Sequence, residues 1–382
     1  MKKKSQSSKS ARTQSARTKE PAAASDGATP THFFQKQLSG EEPLTWATAE
    51  RLYGLAAAIF ALKPWDFLAD GDPLLLRDPK SGEMCYCSVM GALGEVLSLQ
   101  VYVGPDSYRF YRRLSSGAAV TPAEFLANFT GVSVEFVRLS ELTPPDREFL
   151  KCFGHPMPRG SGGPIFRALR PGFHPWYVTE SEGFLLAECM QALIAFCAGF
   201  LENPDVSYWD DEDVYPLLVP IGGEGLDREY KVESVKAPVP PPSVPQPPVL
   251  DEARLRRVRE KDYPVRGKFE ADSCFVLAEI GEKNQRKSCA RLGLVTDAGS
   301  GIVFPPALRG SAEPAGQTLV EALLNAIDAI HSLPAEVLVD KAESKVLLDP
   351  LARHLGFTVR VVKSLPSLEQ ARDSVLGMMG GR

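Results

Sequence analysis

The sequence predicts two domains, an α+β unit built around an antiparallel meander and then an α/β unit. Three observations predict this. The chain has 382 residues, more than one ordinary core accommodates. Seven prolines crowd the stretch from Ala237 to Pro248 (Pro238, Pro240, Pro241, Pro242, Pro245, Pro247 and Pro248), and such a run favours an extended, semi-rigid spacer. Apolar periodicity is strong on both sides of that run and absent within it. The expected division is a tail over residues 1–40, a first domain over 44–231, a linker over 232–267 and a second domain over 268–379.

The first domain opens with a helix over Thr48 to Leu62, where Leu52, Leu55, Ile59 and Leu62 recur at helical spacing and Pro64 stops the run. Leu74 to Leu76, Met84 to Val89 and Val96 to Val103 then have strand character. Asp78-Pro79-Lys80-Ser81-Gly82 supplies the turn between the first two, and Gly91 and Gly94 punctuate the second connection. Thr121-Pro122-Ala123-Glu124 is a capping box with proline at the first helical position, so a helix starts there. Val132 to Leu139 alternates like a strand. A second capping box, Thr179-Glu180-Ser181-Glu182, opens a long apolar helix ending near Leu201. Its span Phe184 to Leu201 contains Glu188 and Gln191, which marks a buried helix rather than a membrane span.

The second domain has an orderly succession. Strands are expected at Cys274 to Ile280, Arg291 to Thr296 and Gly301 to Leu308. A helix follows from a capping box at Thr318-Leu319-Val320-Glu321 to Ile330. Then come a strand at Glu336 to Val339, a helix to His354, a strand at Phe357 to Val362 and a last helix from Ser367. Three strands, then helix, strand, helix, strand, helix is the element order of a ribonuclease H-like fold.

Charge is unevenly spread. The chain carries 43 Lys and Arg against 48 Asp and Glu, and seven of those cations lie in residues 1–19 with no acid among them. The tail lacks the apolar residues needed to offset its ordering entropy, so disorder is expected. The body beyond it is acidic, which disfavours nucleic acid as a partner. No apolar run follows the N-terminal lysines, so no secretory leader is expected. Seven cysteines, an odd number without regular spacing, suit free thiols in a cytoplasmic, reducing compartment.

Several segments carry a resemblance. They are Lys63-Pro64-Trp65, the run from Ser81 through Cys85 and Cys87 to Glu95, and Arg170-Pro171-Gly172-Phe173-His174-Pro175-Trp176. Thr296-Asp297-Ala298-Gly299-Ser300-Gly301 and the stretch from Leu333 to Val375 add to these. The chain resembles a bacterial family of two-domain proteins known as paired domains of unknown function, across most of residues 45–375. It departs at Gly162-Gly163-Pro164, where that family commonly places a tryptophan before the proline. The resemblance implies an architecture and transfers no activity, cofactor or catalytic residue.

Four groups of residues are candidates for chemistry. Cys85 and Cys87 share one face of a strand and could offer two thiolates to zinc, but no second ligand pair completes a site, so core packing is expected and metal is not. His155 and His174 lie in Pro/Gly-rich loops, and His174 with Trp176 is a candidate small-molecule site; no nucleophile is placed beside either histidine. The acidic run Glu202, Asp205, Asp210 to Asp213 lacks the spacing of a calcium loop.

The fourth group lies in the second domain. Ribonuclease H-like nucleases hold Mg or Mn with carboxylates from the first strand, the fourth strand and the last helix. Asp272, placed just before the first strand, Asp340, and Glu369 or Asp373 occupy matching points of this sequence, and Asp297 opens a Gly-rich turn. Capping explains the same acids without catalysis: Asp340-Lys341-Ala342-Glu343 and Ser367-Leu368-Glu369-Gln370 both read as capping boxes. The expectation is a cytoplasmic protein without catalytic residues or cofactor and with an interaction or regulatory role; the alternatives are a metal-dependent nuclease or nucleic-acid-binding protein, and a small-molecule binder at the loop of His174 and Trp176.

Overall fold

A computed structural model describes residues 40–94, 96–153, 162–203, 206–223, 228–238, 246–282, 284–310 and 313–379. The basic tail, His155 and the central prolines of the linker lie outside the described residues.

The first domain runs α1 (Trp46–Leu62), a 3-10 turn (Pro64–Asp66), β1 (Leu74–Arg77), β2 (Met84–Met90), β3 (Leu97–Val103), α2 (Gly104–Ser115), α3 (Pro122–Asn128) and β4 (Gly131–Val137). It continues through α4 (Pro144–Phe153), β5 (Gly163–Leu169), α5 (Glu180–Glu202), β6 (Val214–Gly222) and β7 (Glu229–Lys236). One seven-stranded sheet has the order β5-β4-β3-β2-β1-β6-β7. Neighbours are antiparallel except β1 and β6, which are parallel through Leu75 and Leu217.

Strand alternation divides this sheet into two faces. Cys85, Cys87, Val89, Leu99, Val101, Val132 and Val134 join Leu52, Leu55 and Ile59 of α1 and Leu186, Met190 and Leu193 of α5 in one core. Tyr86, Tyr102 and Leu75 face the other way, against Tyr108, Phe110 and Tyr111 of α2. Helix α5 is long and apolar enough to cross a membrane, and its middle is packed inside this core. Both capping boxes foreseen here form: the Thr121 and Thr179 hydroxyls accept from Glu124 N and Glu182 N.

The second domain runs α6 (Glu252–Glu260), β8 (Lys268–Ile280), β9 (Ser288–Asp297), β10 (Ala307–Gly310), α7 (Ala315–Ile330), β11 (Glu336–Val339), α8 (Ala342–Leu355), β12 (Thr358–Val361) and α9 (Pro366–Met379). Its five-stranded sheet has the order β10-β9-β8-β11-β12. The second strand is antiparallel to the first and third, and the fourth is parallel to the first and fifth. Helices α6, α7 and α8 cover one face through Leu255, Leu323, Ile327 and Leu351 over Phe269, Val295 and Val337. Helix α9 covers the other through Leu368 over Val276, Leu292 and Leu294.

Several expectations about the elements need correction. Strand β7 reaches Lys236 and α6 lies within the stretch assigned to the linker, so the spacer is shorter than 232–267. The box at Thr318 does not form: α7 starts at Ala315, three residues earlier, and the Thr318 hydroxyl is buried without a partner among the described residues. Asp340 does not cap α8, whose N-cap position is Lys341 with no side-chain cap bond. The strand expected over Gly301 to Leu308 is confined to its end, because Val303 makes only an isolated bridge to Thr296.

The linker is not the sole tie between the domains. Phe173 and Ser288 form an antiparallel bridge, with Cys289 N donating to Gly172 O at 2.7 Å and His174 N donating to Lys287 O at 2.8 Å. The Arg286 side chain, 5% exposed, enters the first domain and donates to Ala168 O at 3.2 Å and Glu41 Oε1 at 3.2 Å. Glu182, already used in capping α5, stands 3.7 Å from Arg286 and also binds Arg170. At the far side, Pro248 packs on Gly316 at the start of α7.

Candidate functional site

The acids of the second domain are brought to one region by the fold, but not as a metal site. Asp272 lies inside β8 rather than before it, pairs with Leu294 of β9, and its side chain is 3% exposed on the face covered by α9. Glu270, two residues earlier, is on the same face and buried. Its carboxylate accepts from Leu368 N at 2.9 Å and so binds an otherwise orphaned amide in the first turn of α9. Sequence reading missed Glu270 because one acid in a strand gives no local signal of a helix start 98 residues away.

The Asp272 carboxylate is taken by a cation of the chain. Lys341 Nζ donates to Oδ1 at 2.8 Å and to Oδ2 at 2.9 Å, and Arg372 of α9 stands 3.9 Å from Oδ2. Lys341 directly follows Asp340 at the end of β11. Burial pushes the Asp272 carboxyl above its usual range, Asp340 adds to that shift, and Lys341 opposes it. Burial works against the Lys341 charge, yet Asp272 and Asp340 hold its ammonium above the ordinary value.

The remaining candidates do not complete a metal shell. Asp340 is exposed. Glu369 Oε1 accepts from Leu365 N at 3.4 Å, back at the start of its own helix, and Asp373 is exposed one turn further on. Asp297 Oδ1 accepts from Gly299 N at 3.1 Å and Ser300 N at 2.7 Å, a local turn that holds its carboxyl below the usual range against the effect of burial. Among the described residues no three His, Cys, Asp or Glu are placed to hold a metal ion. Mg or Mn at Asp272 would have to displace an ammonium bonded to both oxygens, so the donor set does not fit a two-metal centre.

His174 and Trp176 belong to the domain junction. His174 N is bonded across it, while Trp176 N and O pair with Ala168 on the edge of β5. The His174 Nε2 atom is buried without a partner among the described residues, and neither residue lines the cavities at α5 or α8. These contacts make the loop a docking strap between domains.

Cys85 and Cys87 are buried in the first core as expected, with a third thiol that spacing gave no hint of. Cys189 of α5 meets both, and the Cys85 and Cys87 thiols together with burial hold it well above the usual thiol range. Buried cysteines of this kind pack as small apolar groups.

Comparison with known families agrees with the two-domain division. Residues 49–216 match a domain of unknown function (DUF7309), and residues 254–376 match another domain of unknown function (DUF6930). The chain thus carries two adjacent domains of unknown function. No curated protein matches it.

Proposed function

We propose that this is a non-enzymatic cytoplasmic protein with an interaction or regulatory role, whose second domain is a catalytically silent ribonuclease H-like module. Strand order supports the fold part of this reading. The five strands run third, second, first, fourth, fifth across the sheet, with the second reversed, and helices follow strands three, four and five.

The observation that carries the silent part is the bond from Lys341 to both oxygens of Asp272. A nuclease of this fold needs the first-strand carboxylate free to bind metal, so that the metal can activate water and stabilise the leaving oxygen. An ammonium at that position neutralises the carboxylate, offers no open coordination site and cannot lower the pKa of a bound water.

The test is cleavage of single-stranded and duplex DNA and RNA with magnesium or manganese, comparing wild type with Asp272→Asn. The reading expects no cleavage by either. Cleavage by wild type that disappears in folded Asp272→Asn replaces it with the metal-dependent nuclease.

A further inference from the structure

We propose that the first domain binds a small amphipathic carboxylate, of the fatty-acid or aryl-acid class, in a cavity of about 470 Å³ between the end of α5 and the β6–β7 hairpin. Phe196, Phe200, Tyr208 and Leu218 supply its apolar wall, and Arg228 and Tyr230 its polar end. The size lies within the range of small-molecule sites, and the lining has their usual composition: mostly apolar and aromatic, with a few polar groups.

Among the described residues the polar end has more cations than buried anions. Glu188 is buried in α5, and its two oxygens bind two different arginines. Arg51 reaches Oε1 at 2.8 Å and Arg228 reaches Oε2. Among the described residues one buried carboxylate faces two guanidiniums, an excess of positive charge beside the cavity. Exposed Glu229 at the rim offsets it only through water, where screening is strong. The buried Tyr230 hydroxyl lies beside the Arg228 guanidinium, which can only donate to it, and its own proton has no acceptor among the described residues. Gln191 is in a similar state, since its Oε1 accepts from Arg51 at 2.6 Å while its Nε2 has no partner there.

Buried polar groups are seldom left unpaired, because each unmade bond costs desolvation energy. A ligand carboxylate at this end would accept from Arg228 and the Tyr230 hydroxyl and bring the two arginines to neutrality. Its apolar part would then lie along Phe196 and Phe200 and cover Ile221, which stands exposed at the rim. The pairing selects a monoanion with an apolar body over a neutral or cationic analogue.

The probe is octanoate, compared with 1-octanol, titrated into the full chain by calorimetry and by the fluorescence of Trp209, whose ring lies 5.9 Å from that of Phe196 and 6.3 Å from that of Phe200. Octanoate should bind at least about tenfold more tightly than octanol, a difference expected of a charge-assisted contact. Gly199→Leu is the main variant, because Gly199 lines the cavity and a Cβ there meets nothing within 4 Å. It adds bulk to the cavity on an intact helix and should abolish binding. Arg228→Met should bring octanoate down to the affinity of octanol. Absence of octanoate binding, equal binding of the two probes, or binding unchanged in Gly199→Leu each overturns the proposal.

Discussion

Lys341 Nζ sits 2.8 and 2.9 Å from the two oxygens of Asp272, joining the end of the fourth strand of the second domain to the middle of its first. The pair is lopsided, with a carboxylate 3% exposed and an ammonium side chain 49% exposed. Asp272 therefore bears most of the burial penalty, and Lys341 can turn to water if released.

Lys341→Met tests that asymmetry. It leaves a buried carboxylate without its closest cation, facing the more distant Arg372 and Arg291, and should destabilise the second domain by about 1–3 kcal/mol at neutral pH. Urea unfolding measures this. A change within experimental error means that Lys341 contributes no net stabilisation.

The pH dependence follows from the sign of the Asp272 shift. Its carboxyl is raised above the ordinary value of 3.8, chiefly by burial. A group raised in the folded state contributes stability that is fully present below 3.8 and is lost as pH climbs through its folded value. The stability of wild type relative to Asp272→Asn should therefore fall as pH rises through that window. A difference that rises instead shows that Lys341 outweighs burial.

Arg286 is the side chain on which domain docking most depends. Burial works to raise the Glu41 carboxyl, yet Arg286 and Arg170 hold it below its usual value, so the clasp is charged in the folded protein. Arg286→Ala should weaken docking by about 2–3 kcal/mol, toward the low end for a broken buried pair because Arg170 still faces both acids. Faster hydrogen exchange at His174 and Cys289 reports it. Unchanged protection at both amides contradicts the role of the clasp.

Three threonine and aspartate variants separate caps that form from caps that do not. Thr179→Ala removes the N-cap of α5 and should cost about 0.5–2 kcal/mol. Thr318→Val removes a buried unpartnered hydroxyl and should be neutral or stabilising. Asp340→Ala takes away no cap and should stay within about 0.5 kcal/mol of wild type. Thermal melts give all three, and a loss at Thr318 as large as at Thr179 would restore the capping box there.

The parts of the fold readable from sequence are those with local signals. Alternation exposed β2, β3 and β4, helical spacing exposed α1, and two Thr-x-x-Glu boxes gave the starts of α3 and α5. Strands β6 and β7 stayed hidden because Pro216 and Pro220 sit in one and Glu229, Lys231 and Glu233 alternate along the edge of the other. Helix α2 begins at Gly104-Pro105, which reads as a turn. The candidate site was half legible. Asp272 and Asp340 do meet closely enough to influence one another, but the bond to Lys341 is a matter of three-dimensional placement. Arg286 had no signal at all: it lies in a polar hairpin loop, and its partners Ala168 and Glu41 are 118 and 245 residues away.

The claim that Lys341 holds the position a nuclease would give to metal is tested most directly by manganese titration of isotope-labelled protein, read as paramagnetic broadening of backbone amides. The account predicts that the amides of Asp272, Asp340 and Lys341 keep their intensity at equimolar manganese, with only diffuse broadening at exposed acids. Selective loss of those three amides at substoichiometric manganese would mean that Asp272 binds metal in preference to Lys341, and would contradict it.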